Sequence, residues 1–223
     1  MKVLIIGGVA GGATAAARLR RLDETAEIVI LERSGFVSYA NCGLPYYIGG
    51  VIEEKDALTL QTPESFWSRF RIDVRVRNEA IKIDPETKTV RVRRLDDGTE
   101  YTESYDKLIV SPGAKAVKPD WPGIESDRIF TLRTVEDTFR IRAYIEKEKP
   151  ESVVIIGGGF IGLEMAENLA HAGMDTTLLQ RSAQVMPPLD YDMACLVHSY
   201  IRKKGIRLMT NRRLPALKRL MGK

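Results

Sequence analysis

Val153-Val154-Ile155-Ile156-Gly157-Gly158-Gly159-Phe160-Ile161-Gly162 is the stretch on which the fold turns. A short apolar run ends in a glycine turn, a helix follows to residue 172, and residues 176–179 read as the next strand. Gly157, Gly159 and Gly162 satisfy the G-x-G-x-x-G spacing. The first glycine makes the tight turn, the second lets a pyrophosphate approach the backbone, and the third lets helix and strand pack closely. The helix N-terminus then offers free N–H groups to an anion. One such match is weak evidence for a dinucleotide site.

The chain opens in the same way about 150 residues earlier, which strengthens the reading. Residues 3–6 read as a strand, Gly7-Gly8-Val9-Ala10-Gly11-Gly12 as the turn, 13–22 as an Ala-rich helix and 27–31 as a second strand. Glu32 follows, about 20 residues after Gly12, where a carboxylate would accept hydrogen bonds from a ribose. Val9 replaces the middle glycine, so a plain packing turn is the alternative here. Two dinucleotides in one chain imply electron transfer between them.

The intervening sequence has another texture. Thr62-Pro63-Glu64 is a cap with Pro at the first helical position, opening a helix to about residue 71. Residues 74–76, 80–83, 89–93 and 99–102 read as short strands of an antiparallel insert, with turns at Asp84-Pro85 and Asp96-Asp97-Gly98. Residues 105–110 return as a strand to Ser111-Pro112-Gly113, and Thr134-Val135-Glu136-Asp137 resembles a capping box for a helix to about residue 149. The expected class is α/β, with two Rossmann-like three-layer units, the first carrying a small antiparallel β insert and the second incomplete. The domains would be 1–115, a connecting segment and helix at 116–150, and 151–223.

Composition narrows the classes. With 44% hydrophobic and 29% charged residues in 223, the chain suits a globular protein with a core rather than a disordered or fibrous one. The longest apolar stretch, 153–165, is interrupted by glycines and Glu164, short of the ~20 residues of a membrane span. The N-terminus lacks the apolar length of a secretory signal, so a cytoplasmic location is expected. A net charge of +4 comes from cations scattered among acids, which favours small phosphate-bearing ligands over nucleic acid.

Only Cys42 and Cys195 occur, far apart, which argues against a disulfide framework or a metal site. Within Ser38-Tyr39-Ala40-Asn41-Cys42-Gly43-Leu44-Pro45-Tyr46-Tyr47, Pro45 favours a first helical turn. That would set Cys42 at a helix N-terminus, where thiolate is favoured. The alternative is a small buried hydrophobe. Cys195 reads as structural, and His171 and His198 as surface residues on later helices.

The glycine turn with Glu32-Arg33, the segment 38–46, Tyr105-Asp106-Lys107-Leu108-Ile109-Val110-Ser111-Pro112-Gly113 and Phe160-Ile161-Gly162-Leu163-Glu164 together resemble the single-cysteine branch of the pyridine nucleotide-disulfide oxidoreductase family, the coenzyme A-disulfide reductase group in particular. The resemblance covers residues 1 to about 211. It implies FAD and NADPH or NADH as cofactors, electrons passing through flavin to Cys42 as the catalytic sulfur, and coenzyme A disulfide or a related disulfide or persulfide as substrate.

It further implies FAD contacts at Gly7, Gly8, Val9, Ala10, Gly11, Gly12, Glu32 and Arg33, with Ala80 near the adenine and Ser111, Pro112 and Gly113 over the flavin. Gly157, Gly159, Phe160, Ile161, Gly162, Glu164 and Arg181 would hold the nicotinamide dinucleotide, although Phe160 and Glu164 also suit ordinary helix packing. Thr14, Arg18, Arg21, Ser38, Asn41 and Arg71 (or Arg69) match substrate positions, the arginines having a solvated helix face as their alternative.

Related oxidases and peroxidases keep a histidine where this chain has Ala10, which favours disulfide over peroxide or oxygen reduction. Gln180-Arg181-Ser182, with no carboxylate at the end of the second unit's strand, leans to NADPH. The family continues for about as long again, with a dimerisation domain. The resemblance therefore implies a C-terminal truncation, a basic tail from Asn211, and a fragment with little or no activity alone. An oxidase of the same family, or a non-catalytic nucleotide-binding remnant, stands as the alternative.

Overall fold

A computed structural model describes residues 1–212. The reading of the basic tail lies outside the described residues from 213 onward. In chain order the elements are β1 (Lys2–Ile6), α1 (Ala10–Leu22), β2 (Glu27–Leu31), β3 (Val37–Tyr39), α2 (Leu44–Ile48), β4 (Thr59–Gln61), α3 (Pro63–Phe70), β5 (Asp73–Arg75), β6 (Asn78–Asp84), β7 (Thr89–Arg94), β8 (Glu100–Ser104), β9 (Lys107–Val110), α4 (Val135–Glu148), β10 (Ser152–Ile156), α5 (Phe160–His171), β11 (Asp175–Leu179), α6 (Tyr191–Lys203) and β12 (Arg207–Met209). Two compact units result: Met1–Ala40 with Asp56–Lys115, and Asn41–Lys55 with Ala116–Lys223.

The first unit is built on a parallel sheet of order β5-β2-β1-β9. Its central strands are buried on both faces, which is why they read as unbroken apolar runs rather than alternating ones. Val3, Ile5, Ile28 and Ile30 face α1 and α3, where Ala13 and Ala16 are small enough to let α1 lie close and Phe66 fills the remaining space. Leu4, Val29 and Leu31 face the other way, against Val90 and Val92 of an antiparallel sheet β6-β7-β8. Helix, parallel sheet and antiparallel sheet make three layers.

Local signals explain the boundaries. Thr62 and Ser65 form a reciprocal capping box at α3, with Pro63 at the first helical position. Thr134 and Asp137 do the same for α4, whose last turn closes on Lys149 in the left-handed conformation before Pro150. Asp84 accepts from the N–H groups of Glu86 and Thr87, and Asp97 from that of Thr99, which fixes the two hairpin turns.

Three expectations need correction. The strand expected at 74–76 lies at Asp73–Arg75 and pairs parallel to β2, so it belongs to the main sheet and the antiparallel insert has three strands. α1 starts at Ala10, inside the glycine turn rather than after it. β3 and β4, an antiparallel pair of three residues each, were not expected at all.

The second unit has a parallel sheet of order β10-β11-β12. Ala166 of α5 and Ile201 of α6 close on Leu178 and Ile206 over one face. Ile141 of α4 and Met165 and Leu169 of α5 gather with Ile48 of α2 in a second cluster. β10 is an edge strand in this sheet. Among the described residues no helix is long and apolar enough to cross a membrane.

Candidate functional site

The two glycine turns are built alike. Gly7 has φ +97° and Gly157 φ +108°, a left-handed backbone that excludes most side chains. A Cβ on Gly12 would stand 1.8 Å from the Gly7 carbonyl oxygen, and one on Gly162 would stand 1.9 Å from that of Gly157. Each third glycine is thus required by the turn's own backbone. A Cβ on Gly11 would meet Ser111 Oγ at 2.4 Å, whereas one on Gly159 would meet nothing within 4 Å. Val9 can therefore stand where the pattern has glycine without closing the turn.

Neither α1 nor α5 has a side-chain cap at its N-terminus. Uncapped first-turn N–H groups with their share of the helix dipole suit a pyrophosphate. The turns fit dinucleotides on that ground, through the backbone rather than through cations.

Glu32 follows directly on β2 and turns its carboxylate back onto the glycine turn. Glu32 is 8% exposed, and its carboxylate accepts from Gly8 N–H at 2.7 Å and from Ser34 N–H at 2.8 Å. In the second unit Gln180 takes the equivalent place, its Oε1 accepting from Gly158 N–H at 3.1 Å. Its Nε2 is committed to Ser182 Oγ at 2.6 Å and Gln184 O at 3.0 Å. The amide therefore closes its own loop instead of presenting a carboxylate outward. Arg181 beside it is exposed.

The segments after these residues repeat as well. Glu32-Arg33-Ser34-Gly35-Phe36-Val37-Ser38 and Gln180-Arg181-Ser182-Ala183-Gln184-Val185-Met186 align residue for residue. Ser34 Oγ donates to Phe36 O and Ser182 Oγ to Gln184 O, each at 2.9 Å. Val37 packs on Gly8 and Val185 on Gly158. Ser38 and Met186 then adopt left-handed backbones, φ 48° and 50°, and their N–H groups donate to Gly8 O and Gly158 O at 2.9 and 2.8 Å.

The remaining expected contacts are distributed between the units. In the first, Arg33 is exposed and pairs with Glu79, Ala80 packs from β6 against the core, and Ser111, whose N–H bonds to Ile6 O, leads past exposed Pro112 to Gly113 at φ 72°. Thr14, Arg18 and Arg21 are exposed and share one face of α1. Arg71 is the left-handed residue ending α3, its guanidinium over the Trp67 ring. The intervening Arg20 is otherwise engaged, donating to the carbonyls of Asp23, Glu24, Phe70 and Arg71. In the second unit Phe160 and Ile161 are exposed at the start of α5, and Glu164 is half-buried one turn on.

Cys42 is exposed, so the reading of it as a buried hydrophobe fails. It lies in a 3-10 turn, Asn41–Gly43, ahead of α2. At five residues α2 aligns too few peptide dipoles to activate a sulfur strongly, and that part of the expectation carries little weight. What α2 supplies is anchorage. Leu44, Pro45, Tyr47 and Ile48 are buried, Arg142 of α4 donates to the carbonyls of Tyr47 and Ile48, and Gly49 lies so close to α5 that a Cβ would be 2.6 Å from that of Asn168. In the residue before Cys42, Asn41 Oδ1 is buried with no hydrogen-bond partner among the described residues.

His171 is exposed, but His198 is not the surface residue expected: it is 6% exposed, on the face of α6 that also buries Ala194 and Ile201. Cys195 on the same helix is half-buried, and among the described residues no three His, Cys, Asp or Glu side chains gather as a metal site.

Residues 1–220 match the family model for pyridine nucleotide-disulphide oxidoreductases. The chain is 40% identical over 216 residues to a coenzyme A disulfide reductase of Staphylococcus aureus, covering 97% of this chain and 49% of that protein. Among solved structures it is similar to reduced Bacillus anthracis CoADR-RHD, at 50% identity and TM-score 0.95, over 98% of this chain and 39% of that one. A NAD-dependent persulfide reductase from A. fulgidus gives 37% identity and TM-score 0.93, over 99% and 41% of the two chains. The chain thus spans about half the length of the curated relatives it matches.

Proposed function

Since the chain belongs to the pyridine nucleotide-disulphide oxidoreductase family, we propose that it forms the nucleotide-binding half of a flavin-dependent reductase acting on coenzyme A disulfide or a related small disulfide or persulfide. The observation that carries this is the duplication of one cradle: two glycine turns of the same construction, each followed by the same loop. A chain that holds two dinucleotides is suited to moving electrons between them.

Gly7, Gly8, Val9, Ala10, Gly11, Gly12, Glu32, Arg33, Ala80, Ser111, Pro112 and Gly113 would hold FAD. Gly157, Gly159, Phe160, Ile161, Gly162, Glu164 and Arg181 would hold the nicotinamide dinucleotide. FAD would supply the two-electron relay from that dinucleotide. Cys42, as thiolate, attacks one sulfur of the substrate; the old S–S bond breaks, half the substrate leaves as a thiolate that takes up a proton, and the other half stays on Cys42 as a mixed disulfide. Two electrons and a proton then release the second thiol and restore the Cys42 thiolate. One cysteine suffices because the substrate supplies the other sulfur. Thr14, Arg18, Arg21, Ser38, Asn41 and Arg71 would take the phosphates and polar groups of the substrate.

The amide of Gln180, spent on its own loop, and the exposed Arg181 support NADPH over NADH, since a 2'-phosphate needs a cation and tolerates no carboxylate there. A cytoplasmic location suits the reading, because free Cys42 and Cys195 persist as thiols in a reducing compartment, and a homodimer is what the full-length family would form.

The purified chain, supplied with FAD, tests the proposal. Yellow protein and NADPH oxidation that depends on coenzyme A disulfide and disappears in Cys42→Ser are expected. Colourless protein without turnover would instead mark a non-catalytic remnant, and steady NADH oxidation by oxygen without disulfide an oxidase.

A further inference from the structure

In the second unit the corner that bears on the glycine turn is held on its buried side by a side chain of α6. The buried Val185 N–H donates to His198 Nε2 at 3.1 Å, and the next residue, Met186, donates its N–H to Gly158 O. Val185 is fully buried, and a Cβ on Gly158 would lie 2.6 Å from its Cγ1, so the corner and the turn are in direct contact. The equivalent corner of the first unit is supported differently. Val37 there is paired with Gln61 in a strand ladder. The histidine thus does in the second unit what a β-strand does in the first.

We propose that His198 is a positioning residue for the dinucleotide turn of the second unit: its neutral ring, as acceptor for Val185 N–H, holds the Val185–Met186 corner against Gly158. A histidine accepts at Nε2 only while that nitrogen carries no proton. Protonation turns the acceptor into a donor facing a donor and leaves Val185 N–H buried without a partner. The neighbourhood resists that change. Burial lowers the basicity of His198, and the Arg202 charge one turn along α6 lowers it further. Around the corner itself the packing is apolar, with Val185 and Met186 meeting Leu178 of β11, Leu208 of β12, and Leu163, Ala166 and Ala170 of α5, and the charge that bears on His198 is that of Arg202. The ring therefore stays neutral through the ordinary histidine range, and the corner is released only as pH falls below that range.

Backbone amide exchange in the 223-residue chain reads this directly, without any nucleotide. Corrected for intrinsic rates, Val185 N–H exchange should accelerate about tenfold or more between pH 7.5 and 5, the size of one lost buried hydrogen bond, with the Gly158 amide resonance moving at the same midpoint. His198→Gln, which keeps an acceptor that does not titrate, should retain protection at both pH values. His198→Leu should exchange fast at both. Exchange at Val185 that is independent of pH in the wild type, or that depends on pH as much in His198→Gln, overturns the proposal. Should both variants fail to fold, the wild-type titration alone decides.

The consequence for binding rests on the function proposed above, and NAD+ is the probe because its pyrophosphate does not titrate here. Its affinity should fall several-fold on acidification in the wild type and stay level in His198→Gln. Absence of binding of both NAD+ and NADP+ at every pH, with the amide response intact, would sink the dinucleotide reading of the turn and leave the brace standing.

Discussion

At the scale of single residues, the glycine turns separate what backbone geometry demands from what a ligand demands. Gly12 is fixed by the Gly7 carbonyl, so Gly12→Ala forces backbone to move and should abolish flavin retention by the first unit while leaving the second folded; FAD fluorescence and amide spectra check both. Gln180→Glu places a carboxylate where the amide now closes its loop, and the ratio of NADH to NADPH affinity should rise about tenfold or more, as measured by titration. Much of this was legible in sequence, because glycine spacing and the residue after each β2-type strand are local signals. The burial of His198 has a sequence signal of its own, since Ala194, His198 and Ile201 share the buried stripe of α6. The matched loops, Glu32 to Ser38 and Gln180 to Met186, show only when the two halves are laid side by side.

At the scale of elements, long periodic segments announced themselves and short ones did not. β3 and β4 have three residues each, too few for a period of 2 to register, and the five residues of α2 were signalled by Pro45 rather than by any period. β5 was recognised as a strand, but pairing partners are set by tertiary contact, and its place beside β2 was not written in its own three residues.

An ionic network joins β5, β1 and β8 through Glu103. Lys2 Nζ bonds to Glu27 at 2.8 Å and to Glu103 at 2.6 Å, while Arg75 bonds to Asp73 at 2.8 Å and also to Glu103. Burial by itself would push the Glu103 carboxyl up, but the bonds from Lys2 and Arg75 outweigh it and hold it below the usual carboxylate range. A depressed carboxylate contributes stability above its unfolded pKa and loses it as pH falls through the folded one. The first unit should therefore weaken below about pH 4.5, and Glu103→Gln should flatten that limb of the pH–stability curve while costing about 3 kcal/mol at neutral pH, since two cations lose their shared partner. Denaturant unfolding across pH measures it.

At the scale of the whole molecule, β10 is the feature out of keeping with a parallel sheet, whose strands are ordinarily covered. Val154 is 59% and Ile156 49% exposed, and an open groove of about 1770 Å³ runs beside them, lined also by Trp121, Phe130, Tyr144 and Ile161. An unpaired apolar edge is a template for another strand. A sample of these 223 residues on their own should self-associate with rising concentration, and Val154→Lys should shift it toward monomer in light scattering, with its far-UV spectrum unchanged. Sequence showed the apolar run but not that it stood at an edge, because neighbours in a sheet are a property of the assembled chain.

The anchorage of the segment after Cys42 has a kinetic meaning. With α2 clamped by Arg142 and wedged against Asn168 at Gly49, the sulfur sits on a short leash and does not sweep a volume in search of its target. Displacement at sulfur requires attacking, central and departing atoms in a line, and under the function proposed above Cys42, tethered to the anchored α2, would supply one end of that line. The orientational search falls to the incoming molecule, so acceleration should be greatest for slender disulfides free to turn into line, and bulky ones should be slow even when they adhere.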